Sequence, residues 1–183
     1  MGEDACSDDS MTETVTACQQ GDRSAQRQLY EQCFQRVYAL VMGMVGEQDA
    51  ADVTQQVFLQ AFRGIGNYKG SAKFQTWLHR VAVNESLQHL RRRRRWKAEP
   101  LADEPADEFR EHDELAEQKD LLERALARLD PQLRSLFLLR EVEGVPYRDI
   151  AETLHIPEGT VGSRLTRARQ ELQTHLKDLG WEP

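Results

Sequence analysis

Leu29, Cys33, Val37, Leu40, Val41 and Met44 recur at steps of three and four, the spacing that gathers side chains on one face of an α-helix. The pattern predicts a helix of about five turns, weakened by Gly43 and Gly46 where it stops. A second helix follows from Asp49 to Phe62, with Ala50, Val53, Val57 and Ala61 on its apolar face and Asp49 and Asp52 in its first turn, where the helix dipole favours acids. Arg63 to Lys73 breaks the period; with Gly64, Gly66, Asn67 and Gly70 it reads as an irregular loop. Phe74, Trp77, Leu78 and Val81 then open a third helix that runs into the arginines at 91–95. Three helices this short can share one core.

From Glu99, with Pro100 and Pro105, apolar residues become too sparse for a core, and the stretch reads as a linker. Leu115, Leu122, Leu126 and Leu129 resume a helical stripe, Pro131 starts another helix, and Leu133, Leu136, Phe137 and Leu139 continue the burial. Tyr147 to Leu154 reads as a short helix burying Ile150, Ala151 and Leu154. His155-Ile156-Pro157 interrupts it before a helix that buries Val161, Leu165 and Ala168. The expected fold is therefore all-α: two small helical domains joined by a flexible acidic linker, the second containing a helix-turn-helix. The boundaries run 1–13 for a disordered acidic N-terminus, 14–97 for the first domain, 98–115 for the linker and 116–180 for the second domain.

Charge changes this picture. The chain of 183 residues carries a net −7, yet by segment the balance is −5 over 1–20, +7 over 21–98, −8 over 99–120 and −1 over the remainder. A basic module thus precedes an acidic connector, and the overall acidity does not exclude nucleic acid. No apolar run is long enough to span a bilayer, and the acidic start lacks the blocks of a signal peptide, so a cytoplasmic protein is expected. Cys6, Cys18 and Cys33 are odd in number and form no C-x-x-C pair, which encodes neither a disulfide framework nor a zinc site; free thiols are expected, with Cys18 and Cys33 packed as small apolar side chains rather than serving as oxidation sensors. The five histidines are scattered, and neither an H-E-x-x-H pattern nor a glycine-rich phosphate loop occurs, so the sequence offers no enzyme and implies no metal or small-molecule cofactor.

Two constellations carry chemistry. The outer face of the last helix bears Thr160, Ser163, Arg164, Thr166 and Arg167, and a helix-turn-helix frees such a face to enter the major groove, where arginine grips guanine through two hydrogen bonds. In the first domain Arg80, Asn84, Gln88, Arg91 and Arg95 fall on one side of a continuous helix, beside a loop with Asn67, Tyr68, Lys69 and Lys73. Single-stranded DNA asks for that mixture of cations, hydrogen-bonding groups and flat rings.

Residues 49–59 (DAADVTQQVFL), Phe74-Gln-Thr-Trp-Leu78, Asn84, Leu90 and the arginines resemble the second conserved region of bacterial sigma factors. Leu129-Asp-Pro-Gln-Leu-Arg134, Glu143-Gly144, Tyr147, Asp149-Ile-Ala151 and residues 156–169 (IPEGTVGSRLTRAR) resemble the fourth. With only these two regions and a short linker, the chain over about residues 14–176 is similar to the extracytoplasmic-function (ECF) group of the sigma-70 family. The resemblance implies a promoter-specificity subunit of RNA polymerase. Asp49, Asp52, Gln55 and Gln56, with Phe58 nearby, match the helix that docks on the clamp of the largest polymerase subunit. The loop Gly64–Lys73 matches the one that receives a base flipped from the non-template strand of the −10 element, and Arg80 and Asn84 match the strand's path, which the stripe continues to Arg91. Thr160, Ser163, Arg164, Thr166 and Arg167 fall on the reader of the −35 element, the flap of the second large subunit should meet the remaining surface, and an anti-sigma factor is implied as a regulator.

Gly162, Gln56, Gln88 and Pro146 depart from common residues of that group, and Gly162 leaves one position of the reading helix without a side chain. The acidic linker can act as a polyanion mimic or as a plain soluble tether. A second function stays open: a repressor or activator that binds operators through its helix-turn-helix and uses the first domain to sense a ligand or dimerise. An adaptor that docks on polymerase without reading DNA fits less well, given the basic stripe and the Arg164–Arg167 pair.

Overall fold

The computed structural model describes residues 4–97 and 114–181, with side chains for 10–96 and 117–181. Regular structure among the described residues is helical: α1 (Asp4–Gln19), α2 (Arg23–Val45), α3 (Glu47–Gly64), a single 3-10 turn (Ile65–Asn67), α4 (Phe74–Lys97), α5 (Glu114–Arg128), α6 (Pro131–Glu141), α7 (Tyr147–Leu154) and α8 (Glu158–Asp178). Helices α1–α4 form the first unit and α5–α8 the second. The linker expected at 98–115 lies outside the described residues as far as 113, and α5 already begins at Glu114.

The first unit is built as the apolar spacing requires. The Asp22 carboxylate accepts from the N–H groups of Ser24 and Ala25 and so caps α2. All six apolar residues read from the sequence of α2 are buried, as are Ala50, Val53, Val57 and Ala61 of α3. Gly46, at φ +89°, takes the left-handed backbone that lets α3 start directly after α2. The expected disorder of 1–13 is corrected for residues 4–13, which are helical. Met11, Val15 and Cys18 stand at i, i+4 and i+7 and pack into the core, and this short stripe outweighs the acidic composition around it.

In the second unit Asp130 caps α6 by accepting from Gln132 and Leu133, and Pro131 occupies the first turn, where it loses no helix hydrogen bond. The stripe on α5 is shifted from its expected phase: Ala125, Leu126 and Leu129 are buried while Leu122 is 44% exposed. On α6, Phe137 is half-buried, and Leu138 takes its place in the core.

The two units share one apolar cluster, with α6 packed on α2 and α7 on α4. Gly43, which the sequence suggests as a helix weakener, lies within α2 at this contact. A Cβ there would sit 2.8 Å from Leu138 Cδ2, so the missing side chain is what admits α6. Arg134 is the polar centre of the junction. Only 5% exposed, it donates to the carbonyls of Met44 at the end of α2, Ala127 in α5 and Leu129 just beyond it. Helix C-termini present unpaired carbonyls and partial negative charge, which explains a cation here whose hydrogen bonds among the described residues go to carbonyls, with the Asp130 carboxylate adding only a weaker attraction. Burial pulls its guanidinium down to about 10, still charged at neutral pH.

Cys18 and Cys33 are free and buried, and burial pushes both thiols up, Cys33 to about 11. A thiolate is the reactive form. Both are expected to resist a thiol reagent in the native protein at neutral pH and to react once guanidinium unfolds it. Rapid native labelling at either position would contradict this.

Candidate nucleic-acid interface

The carboxyl-terminal helix-turn-helix is built from α7 and α8. Ile150 and Ala151 of α7 and Val161, Leu165 and Ala168 of α8 are buried between them. The turn is closed by the Ile156 N–H donating to Ala151 O (3.0 Å), with His155 in the left-handed region at φ 54°, ψ 46°. A non-glycine residue there carries a modest strain, and Pro157 then fixes the start of α8.

Burial of that apolar stripe turns the opposite face of α8 outward. Ser163, Thr166 and Arg167 are exposed, and Thr160 and Arg164 are half-buried. The hydroxyls of Ser163 and Thr166 donate to the carbonyls of Thr160 and Gly162 and keep their lone pairs outward. Arg167 Nε donates to Glu171 one turn on (2.7 Å), which steadies the side chain and leaves the rest of its fork outward. A Cβ on Gly162 would meet only the Tyr147 ring, at an ordinary 3.7 Å, so packing does not force the missing side chain on this face.

In the first unit, α3 exposes Asp52, Gln55 and Gln56. Two residues grouped with them serve inside the protein. Phe58 is 4% exposed and packs on the Tyr30 ring (4.6 Å), while Asp49 accepts from Arg93 (2.9 Å) and pairs with His89 (3.0 Å), fastening α3 to α4. On α4, Asn84 and Arg91 are exposed, but Arg80 is half-buried and donates to Glu152 of α7 at 2.6 Å. The loop holds Asn67, Lys69 and Lys73 outward. Tyr68 is folded in: its ring packs edge-on against Phe74 and beside Trp77, and its hydroxyl donates to Ala72 O (2.6 Å). It shapes the loop rather than offering a free ring.

Sequence reasoning missed Gln19. Its amide donates to the carbonyls of Ile65 (3.0 Å) and Tyr68 (2.8 Å), bracketing Asn67 from α1 and fixing the path of the loop. Met11, Val15 and Thr16 of α1 form with Tyr68 to Phe74 a groove of about 550 Å³ beside it. A polar residue at the end of an unrecognised helix gave no signal. Gln19→Leu keeps the apolar contacts but removes both donors, and is expected to loosen the loop so that its amides at 66–70 exchange with solvent several-fold faster. Hydrogen exchange reads it, and unchanged rates would contradict it. 

These features define a two-unit helical DNA-binding protein: a helix-turn-helix with an open basic face, and a helical module with a cationic stripe beside a braced loop. Residues 29–96 match the family profile for sigma-70 region 2, and residues 119–172 that for sigma-70 region 4. The RNA polymerase sigma-H factor of Pseudomonas aeruginosa is 35% identical over 90% of this chain and 93% of its own. The ECF RNA polymerase sigma-E factor of Haemophilus influenzae is 33% identical, over 90% and 94%. In fold, the chain is similar to CnrH, solved with the cytosolic domain of CnrY (TM-score 0.65, 23% identity, 92% of this chain and 97% of that one). It is also similar to the sigma factor RpoE of Bartonella quintana, solved with the anti-sigma factor NepR (TM-score 0.67, 23% identity, 82% and 96%). The chain belongs to the ECF group of the sigma-70 family and is a promoter-specificity subunit of bacterial RNA polymerase. That family consists of transcription initiation factors, and no helix among the described residues is long and apolar enough to cross a membrane.

Proposed function

We propose that α8 reads the −35 duplex through Arg164 and Arg167, with Thr160, Ser163 and Thr166 serving bases or phosphates. Asn84, Arg91 and, once freed, Arg80 guide the −10 non-template strand, and the loop at Asn67, Lys69 and Lys73 takes up one flipped base. The observation that carries this reading is the outward face of α8, where two arginines one turn apart stand over a fully buried stripe. The exposed Asp52, Gln55 and Gln56 dock on the polymerase clamp, and Phe58 and Asp49 hold that face in shape from behind. The protein acts in the cytoplasm by binding alone, with no catalysis of its own, and an anti-sigma protein completes its partners.

Flipping a base costs a few kcal/mol, which the loop and the stripe together must offset. A promoter carrying 2-aminopurine in the −10 non-template strand tests this, because the fluorophore brightens when it leaves the stack. Brightening is expected with factor and core polymerase together and with neither alone. A constant signal despite polymerase recruitment would remove the strand-capture role and leave duplex reading.

A further inference from the structure

The two hydrogen bonds by which α1 braces the loop also fix the orientation of the side chain that makes them. Gln19 Nε2 meets the carbonyls of Ile65 (3.0 Å) and Tyr68 (2.8 Å). A carbonyl only accepts, so the amide turns its NH2 to the loop and spends both donors there, which leaves Oε1 as a pure acceptor. Gln19 lines the groove between α1 and the loop, and its Oε1 accepts no hydrogen bond among the described residues. One turn back, the exposed Thr16 spends its hydroxyl proton on Thr12 O (2.8 Å) and keeps lone pairs only. The groove encloses about 550 Å³, within the roughly 300–1,000 Å³ of sites that hold small ligands. Met11 and Phe74 give it apolar surface, and the exposed Lys69 and Lys73 bring positive charge.

Apolar surface suits a flat ring, cations suit a phosphate, and acceptors at Thr16 and Gln19 ask for a donor: together they fit an unpaired nucleobase that presents an NH2 group. Adenine carries that group at N6 and cytosine at N4, whereas thymine and guanine place a carbonyl oxygen at the same edge. Two facing acceptors share no proton, so thymine or guanine would leave Gln19 Oε1 unsatisfied. We propose that the groove between α1 and the loop holds the flipped base, that Gln19 Oε1 accepts from its exocyclic amine, and that the site therefore selects adenine or cytosine at one position of the −10 element. The proposal rests on the reading of the loop as the receiver of a flipped base, and adds to it a second wall and a rule of selection. That wall stands outside residues 29–96, the span that matches region 2, so the family match by itself gives α1 no part in base choice. One amide does both tasks: its nitrogen braces the loop and its oxygen reads the base.

The full-length factor with core polymerase tests this by competition transcription on promoters whose −10 region is already unpaired, so that pairing strength does not enter. At each −10 non-template position, adenine is compared with purine and cytosine with pyrimidin-2-one, which lack only the amine. At one position the loss of the amine should lower the wild-type yield roughly three- to tenfold, the range of one neutral hydrogen bond. Gln19 is exposed, so replacing it opens no core. Gln19→Glu keeps an acceptor and loses both donors, while Gln19→Lys keeps donors for the loop and loses the acceptor. The penalty should therefore survive in the glutamate variant and fall below about twofold in the lysine variant, with −35 preference unchanged in both. Any other pairing overturns the direct reading of the base; a penalty kept by lysine, for instance, makes Gln19 a brace for the loop and nothing more. The 2-aminopurine measurement separates this from failure of the reading beneath it. Brightening with no amine penalty at any position sinks the groove alone. No brightening removes strand capture, and the groove falls with it.

Discussion

Replacing Arg164 and Arg167 together with alanine is expected to reduce transcription from a −35-dependent promoter by roughly a hundredfold or more, because each good arginine–guanine pair is worth about 1–3 kcal/mol and 1.4 kcal/mol is tenfold. The protein itself should barely notice. Neither residue belongs to the core, and the Arg167–Glu171 pair, one turn apart on an exposed face, contributes only about 0.3–0.5 kcal/mol. Thermal melting of the double variant should therefore overlay the parent while its promoter yield collapses. Lysine at both positions should rescue little, since a point charge cannot reproduce the planar fork. Full yield from the alanine double variant would remove α8 as the reader.

The second large effect concerns stability, and its sign is decided by two opposing terms. Arg134 is a buried cation that desolvation costs more than the nearby Asp130 carboxylate returns, which argues that Arg134→Met should help. Against that, methionine fills the same space but leaves the carbonyls of Met44, Ala127 and Leu129 without their donor, at about 1–3 kcal/mol for each acceptor that water cannot reach. The helix C-termini facing the guanidinium offset part of its desolvation, so the loss of donors wins. We expect Arg134→Met to destabilise the protein by about 2–4 kcal/mol and to lower Tm by roughly 5–15 °C. Calorimetry reads it. An equal or higher Tm would mean that desolvation dominates and that the junction tolerates an apolar centre.

Much of the architecture was legible because burial is periodic. The stripe from Leu29 to Met44, that from Ala50 to Ala61 and the pair of short stripes around His155 all face the core as their spacing predicts. α1 escaped because only Met11, Val15 and Cys18 make its buried stripe and five acids in the first 20 residues mask it. The outward face of α8 was legible for the converse reason: once Val161, Leu165 and Ala168 are buried, geometry assigns Arg164 and Arg167 to the other side. Contacts between the two units were not legible. Gly43 reads equally as a helix breaker or as a site of close approach, and only Leu138, far along the chain, distinguishes the two. Likewise Arg80 shows its charge in the sequence but not its partner Glu152, which lies 72 residues away. Phe58 and Asp49 illustrate the limit of assigning a whole helix face from a motif, since packing claims one and an ion pair the other.

The account stands most directly on run-off transcription with purified core polymerase, with and without the factor, on a promoter taken from upstream of its own coding sequence. Transcripts that require the factor, and that disappear when either the −35 or the −10 element is replaced, are the predicted result. Absence of any factor-dependent transcript, together with tight duplex binding by a dimer of the protein alone, would contradict it and favour an operator-binding regulator.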